Sequence, residues 1–240
     1  MNTALIFAGG TGQRMNSKTR PKQFLELHGK PIIIYTLEHF NSHPEIHGIV
    51  VVCLQEWIPY LNDLLSKFAI TKVISIVPGG VSGQDSIYRG LCSISENCPE
   101  DTVVLIHDGV RPLIDAKLIS DNIRSVLAHG SAITISKANE TIILNTKNRA
   151  STDVLDRDYC EVAKAPQSFY LKDILSAHLK AIERGETDMI DSATLMQWFE
   201  KPLHTVPYDS INIKITTPID FHIFRAILDS REDNQLYGLE

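Results

Sequence analysis

ALIFAGGTGQRM, residues 4–15, joins four apolar residues to a glycine-rich turn, and this junction decides how the rest of the chain is read. A short run without a polar member is the mark of a strand covered on both faces, as in a parallel sheet. Gly9, Gly10 and Gly12 then allow backbone N–H groups to approach an anion closely. The spacing is not G-x-x-x-x-G-K-[ST], because no lysine and hydroxyl follow Gly12. It is not a clean G-x-G-x-x-G either, because Gly10-Thr11-Gly12 runs into Gln13-Arg14-Met15. Four cations follow closely: Arg14, Lys18, Arg20 and Lys22. Loop and cations together read as an anion trap. Pro21 stiffens the approach to Lys22, while Lys18 and Arg20 read as solvated.

Outward from this stretch, apolar runs alternate with amphipathic ones. Ile49–Leu54 (IVVVCL), Lys72–Val77, Thr102–Ile106 and Ser131–Ser136 read as strands. Ile32–Phe40, Trp57–Phe68, Asp85–Ser95 and Leu118–His129 carry helical spacing, the last ending on Gly130 as a C-cap. Strands alternating with helices, without hairpin turns in this half, predict a parallel sheet with helices on both faces. Ligands of such sheets lie beyond the carboxyl ends of the strands. Residues 139–162 read differently, as a hairpin arm with short β-like pieces at Glu140–Leu144 and Ser151–Leu155 around a polar turn. Beyond it, Lys172–Arg184 and Ser192–Phe199 read as helices, Leu203–Val206 and Ile211–Thr216 as strands, and Pro218–Leu228 as a closing helix. One domain with an arm, spanning 1–240, is the expectation.

The 240 residues carry a net charge of −6 and are 43% hydrophobic. The balance supports a packed core and argues against a nucleic-acid binder, which would cluster Lys and Arg. No apolar run approaches the ~20 residues of a bilayer span, and no signal peptide is read at the N-terminus. Cys53, Cys92, Cys98 and Cys160 form neither C-x-x-C nor a metal-ligand spacing and read as reduced thiols, as in a cytoplasmic protein.

Three further stretches could carry chemistry. Pro78-Gly79-Gly80 with Ser82–Ser86 is a second glycine loop at a strand end, suited to reading a base or ribose; Asp85 or Ser86 could equally cap the next helix. His107-Asp108-Gly109-Val110-Arg111-Pro112 follows an apolar strand, where an Asp is placed to hold Mg²⁺ against phosphates and Arg111 to bind a second anion. A local Asp–Arg turn is the competing reading, disfavoured by the apolar residues that lead straight to the Asp, and His107 reads as structural. On Asn212-Ile213-Lys214-Ile215-Thr216, strand alternation sends Lys214 to the face of Asn212.

Taken together, AGGTGQRM…RPKQFL, HDGVRPLI, DR…APQSF and NIKITTPID resemble the CTP-dependent cytidylyltransferases that act on alditol phosphates, in order over nearly the whole chain. The resemblance implies a Rossmann-like, three-layer α/β fold with a mostly parallel sheet and a protruding β-arm that embraces a second subunit. It implies CTP and a polyol phosphate as partners, Mg²⁺ as cofactor, and attack of the acceptor's phosphate oxygen on the α-phosphorus with release of pyrophosphate. Arg14, Lys22 and Lys214 would be the catalytic cations. Ala8, Gly9, Gly10, Thr11 and Gly12 would hold the nucleotide, and Gly80 and Ser86 would help read cytosine. Asp108 would lie near Mg²⁺, and Asp108, Arg111, Thr141 and a partner's Arg157 would bind the acceptor. The family has two branches, for methylerythritol 4-phosphate and for ribitol 5-phosphate. Gly9, where the first prefers alanine, and Asp108-Gly109-Val110-Arg111-Pro112, where it reads D-A-A-R-P, point to ribitol 5-phosphate. Val81 and Gly83, Ala165 in the family's T-P-Q, and Ile190 in its T-D-E-A depart from the pattern and leave a third polyol phosphate open. The rivals are a sugar-1-phosphate nucleotidyltransferase and a non-catalytic nucleotide-binding regulator on the same fold.

Overall fold

The computed structural model describes residues 1–10, 20–145, 152–208 and 211–237, the last four by backbone alone. Its centre is strand β1 (Asn2–Ala8), the element that carries the opening motif. Successive residues of β1 serve opposite faces: Ala4 and Ile6 pack into one core cluster and Leu5 into the other. A strand that must be covered on both sides needs this unbroken apolar run.

The remaining elements follow in chain order. After a short 3₁₀ turn at Lys22–Phe24 come β2 (Glu26–Leu27), β3 (Lys30–Pro31), α1 (Ile32–Ser42), β4 (Gly48–Cys53), α2 (Ile58–Lys67), β5 (Val73–Pro78), α3 (Gly83–Asn97), β6 (Val103–Asp108) and α4 (Ala116–His129). Then come β7 (Ser131–Lys137), β8 (Ile143–Asn145), β9 (Thr152–Val154), β10 (Glu161–Tyr170), α5 (Leu171–Glu183), α6 (Ser192–Trp198), β11 (Thr205–Pro207) and α7 (Pro218–Tyr237). Seven strands form one sheet in the order β11-β7-β10-β6-β1-β4-β5. All run in one direction except β10, which is antiparallel to both β6 and β7.

Helices cover both faces. Side chains of α1, α2 and α4 fill one core with Ile6, Ile49, Val51 and Leu105; those of α3, α5 and α6 fill the other with Leu5, Val50, Val52 and Val104. All six residues of β4 are buried, and each Val or Ile so covered stabilises the fold by ~1.5–3 kcal/mol relative to exposure. Helix α4 shows why its limits were readable. Asp115 accepts from the Leu118 N–H at 2.8 Å at its start, and Gly130 adopts φ 85° at its end, a conformation that other residues reach only at a cost. The arm expected at 139–162 contains β8 and β9, which pair antiparallel with each other, Ile143 opposite Val154, and are exposed along their length.

Four expectations need correction. Residues 211–216 are not a strand: the segment joins no sheet, and the Ile215 N–H donates to the Val110 carbonyl at 2.9 Å. A small hairpin does occur in the first half, β2–β3, turning through His28 and Gly29 at φ 50° and 73°. The cap of α3 is Ser82, accepting from the Asp85 N–H, and not Asp85 or Ser86. Strand β10 went unread because Pro166 lies inside it, and proline argues against an inner strand. The pairing with β7 shifts register between Ala163 and Gln167, so Pro166 sits at a bulge where no ladder N–H is required. Its carbonyl is satisfied from the side by Thr134 Oγ1 at 2.7 Å, itself held by Asn122, which also accepts from Ser168.

Candidate active site

The strand order reverses at β1: the chain runs outward through β4 and β5, then returns to place β6 on the other side. This switch point opens a crevice beyond the carboxyl ends of the strands. Ala8-Gly9-Gly10 leaves β1 there, Gly79-Gly80 leaves β5 and Asp108-Gly109 ends β6. The first two loops touch. A Cβ on Gly9 would stand 3.4 Å from both Gly79 Cα and Ser86 Oγ, so glycine keeps them close but alanine would fit. Gly109 is tighter, since its Cβ would meet that of Ala8 at 3.0 Å.

The opening loop is strapped by a residue the sequence reading passed over. Gln23, buried in the 3₁₀ turn that carries Lys22, donates from Nε2 to the Ala8 carbonyl at 2.6 Å and to that of Gly10 at 3.4 Å. Phe24 beside it stacks on Trp57 at 5.0 Å, so Lys22 stands on a fixed base next to the loop. Arg20 pairs with Glu26 at 2.7 Å, both exposed, in keeping with a surface role. The expectations at Thr11, Gly12, Arg14 and Lys18 lie outside the described residues.

The second loop is closed on itself. Ser86 Oγ accepts from the Gly80 N–H at 3.0 Å and donates to the Ser82 carbonyl at 2.8 Å, and Asp85 accepts from the Val81 N–H. A side chain on Gly80 would overlap the Asp85 carboxylate. The Gly80 N–H and the Ser86 proton are thus spent within the loop, which fixes its shape.

Asp108, Arg111 and Lys214 come together as one cluster. Asp108 Oδ2 accepts from Arg111 Nε at 2.7 Å, and Oδ1 pairs with Lys214 Nζ at 2.6 Å. Arg111 also donates to the Asn212 carbonyl at 2.9 Å, while Asn212 Nδ2 bonds the Ala165 carbonyl at 2.7 Å. These bonds hold the 211–216 segment against the bulge of β10 without any strand pairing, and so deliver Lys214 to the site. The local Asp–Arg turn therefore exists, and its groups face the crevice as well. Burial alone would raise the Asp108 pKa, but Lys214 and Arg111 outweigh it and hold the carboxyl below its ordinary value. His107 is structural: its Nε2 donates to the Arg111 carbonyl at 3.1 Å, and burial pushes its pKa down to about 4.

A cavity of about 360 Å³ runs from this cluster between β10, α3, α5 and the start of α6. Lys164, a lone lysine entering the buried part of β10, lies on its wall. Burial, then the charge of Arg111, lower the Lys164 pKa. Asp191 is already taken, by Gln167 Nε2 at 2.9 Å and the Thr194 N–H at 2.8 Å. The cations at this cavity outnumber the acids, which suits a phosphate. Gly83, Ala165 and Ile190, three of the four positions that depart from the family pattern, also line it. Thr141 and Arg157 do not. Both are exposed on the arm, Arg157 in a 3₁₀ turn and bonded to the Asn139 carbonyl at 3.3 Å.

Among the described residues no group of three His, Cys, Asp or Glu side chains could cage a metal ion. One ionised carboxylate, with a second lone pair on each oxygen, nonetheless fits Mg²⁺, which takes one or two carboxylates and completes its shell with substrate phosphates and water.

Known proteins align along the whole of this architecture. A protein of Vibrio parahaemolyticus serotype O3:K6 (strain RIMD 2210633), named ribitol-5-phosphate cytidylyltransferase, is 53% identical over 99% of this chain and its own full length. One of the same name from Streptococcus agalactiae serotype III (strain NEM316) is 51% identical over all of both chains. The crystal structure of 4-diphosphocytidyl-2C-methyl-D-erythritol synthase from Anaerococcus prevotii DSM 20548 superposes with a TM-score of 0.82 at 26% identity, covering 95% of this chain and 96% of that one. The family model "IspD: 2-C-methyl-D-erythritol 4-phosphate cytidylyltransferase" matches residues 2–230, and with it the chain belongs to that family of nucleotidyltransferase enzymes.

Proposed function

We propose that this enzyme transfers the cytidylyl group of CTP to ribitol 5-phosphate, giving CDP-ribitol and pyrophosphate. The observation that carries the acceptor is the 51–53% identity, over full length, to proteins named for that reaction. The crevice supports the chemistry. A phosphate oxygen of the acceptor forms a bond to the α-phosphorus of CTP, the bond from that phosphorus to the bridging oxygen breaks, and its electron pair leaves with pyrophosphate. Two polyanions must be brought together and extra charge stabilised, which is work for fixed cations rather than for a covalent intermediate.

In this reading Arg14 and Lys22 hold the triphosphate over the Gly9-Gly10 loop, with Thr11 and Gly12 completing it. Lys214 faces the α-phosphate, and Arg111 and Lys164 face the acceptor's phosphate. Gly80 and Ser86 act by shaping the base-side loop. Mg²⁺ would be held by Asp108 together with phosphate oxygens of the nucleotide and would neutralise charge on the triphosphate. A second copy of the chain would complete the acceptor site with Arg157 of the partner subunit, alongside Thr141. The arm supports such a homodimer, since Val154 and Tyr159 are 70% and 88% exposed there, an apolar surface that a lone hairpin leaves uncovered.

Methylerythritol 4-phosphate, the acceptor in the family model's name, is the competing reading. Pyrophosphate release from CTP and Mg²⁺ tests both. Release with ribitol 5-phosphate is expected; release with methylerythritol 4-phosphate alone would reverse the assignment, and release with neither would remove it.

A further inference from the structure

His178 lies on the buried stripe of α5, with Leu171, Ile174 and Ala181, where an apolar residue would pack without polar cost. It is 1% exposed, its ring stacks on Tyr88 at 6.0 Å, and it forms part of the wall of the 360 Å³ cavity. Neither ring nitrogen has a hydrogen-bond partner among the described residues. A buried imidazole without partners destabilises a fold, so its presence at this position calls for a ligand.

The surroundings say which kind. Of the other residues that line the cavity, Ile87 and Leu195 are apolar, and Gln84 is spent on the 186–189 loop, donating to the Glu186 carbonyl and accepting from the Met189 N–H. Burial pushes the His178 pKa down to about 4, so at neutral pH the ring is uncharged. A neutral imidazole offers one N–H donor and one nitrogen acceptor, the complement of a hydroxyl and a poor match for a phosphate. The phosphate-binding chemistry of the same cavity belongs to Arg111, Lys164 and Lys214, and burial alone, not the charge of any of the three, shifts His178. One cavity thus presents both a set of cations and a neutral donor–acceptor.

We infer that His178 binds a hydroxyl of the acceptor's carbon chain, away from its phosphate, and thereby helps set which polyol phosphate the enzyme accepts. This rests on the proposed function, since it assigns the cavity to the acceptor.

Two variants and one spectrum test it. His178→Leu removes both polar atoms at similar volume. It is expected to leave the melting temperature unchanged or higher, to leave the KM for CTP unchanged, and to raise the KM for ribitol 5-phosphate roughly five- to tenfold, the value of one neutral hydrogen bond. His178→Gln, which keeps a donor and an acceptor, is expected to recover part of that loss. In the wild type, the ring nitrogen signals of His178, identified by their absence from the His178→Leu spectrum, should shift on adding ribitol 5-phosphate and stay in place with inorganic phosphate. A purely structural histidine would lower stability on replacement with no selective change in the acceptor's KM, and that result overturns the inference. So do ring signals that ignore ribitol 5-phosphate or respond equally to inorganic phosphate. A wild type that turns over no polyol phosphate strikes the proposed function, whereas the ring signals need no turnover and decide the His178 contact separately.

Discussion

Replacing Asp108 with asparagine keeps the shape of the side chain and removes the charge that holds two cations. Its side chain is 7% exposed, that of Arg111 13% and that of Lys214 39%. Breaking a buried pair by neutralising one partner costs about 3–5 kcal/mol, because the other charge remains buried. Lys214 is more than a third exposed and can turn to water, so its share is discounted and the lower end, about 3 kcal/mol, applies. For a chain of this size that is a fall of roughly 6–12 °C in melting temperature. The pH dependence has a definite sign. The folded-state pKa of Asp108 is lowered, so its contribution is fully present above the ordinary carboxylate value of ~3.9 and is lost as pH falls through the lower folded value. The Asp108→Asn deficit should therefore be complete at pH 7 and narrow on acidification below ~4. Urea unfolding followed by tryptophan fluorescence measures it, since Trp57 is stacked on Phe24 in the folded state. Equal stability of the two proteins at pH 7, or a deficit that widens in acid, would refute this view of the cluster.

Other substitutions probe the rest of the crevice. Gln23→Leu leaves the buried Ala8 carbonyl without its strap, which should cost about 1–3 kcal/mol in chemical denaturation and raise the KM for CTP while sparing that for the acceptor. Lys164→Met should raise the acceptor's KM roughly tenfold, with the salt dependence of that KM reduced; an unchanged KM would remove Lys164 from the phosphate site. Gly130→Ala, which forces a side chain to φ 85°, should destabilise by about 1 kcal/mol with no effect on either KM.

How much of this was legible in the sequence depended on whether a residue's partner lay nearby in the chain. The unbroken apolar runs of β1, β4 and β6 and the spacing of α1 to α5 announce themselves, because burial on two faces or one dictates composition directly. Asp108 was legible too, as a lone acid ending an apolar strand. Strand β10 was not, because Pro166 speaks against an inner strand and only the facing residues, Thr134 and Asn122, show how a bulge accommodates it. Lys214 was read on a strand that does not form, and that reading left open whether it lay on an edge or met a site. Strand alternation put it with Asn212, yet what carries it inward is Asn212 bonding to Ala165 and Arg111 bonding to the Asn212 carbonyl. Gln23, Lys164 and His178 escaped notice because nothing local distinguishes a glutamine that straps a loop, a lysine at a cavity wall or a histidine lacking partners from their ordinary counterparts. The branch markers Gly9 and Gly109 also gained a physical meaning. They pack against Gly79 and Ala8, so they bear on how closely the loops at the strand ends approach one another.

The most direct test is a competition. The enzyme is given CTP, Mg²⁺ and equal concentrations of ribitol 5-phosphate and methylerythritol 4-phosphate, and the two CDP-linked products are separated and quantified by mass spectrometry at early times. Their ratio is the ratio of the two kcat/KM values. CDP-ribitol in large excess is the predicted result. An excess of the methylerythritol product would contradict it.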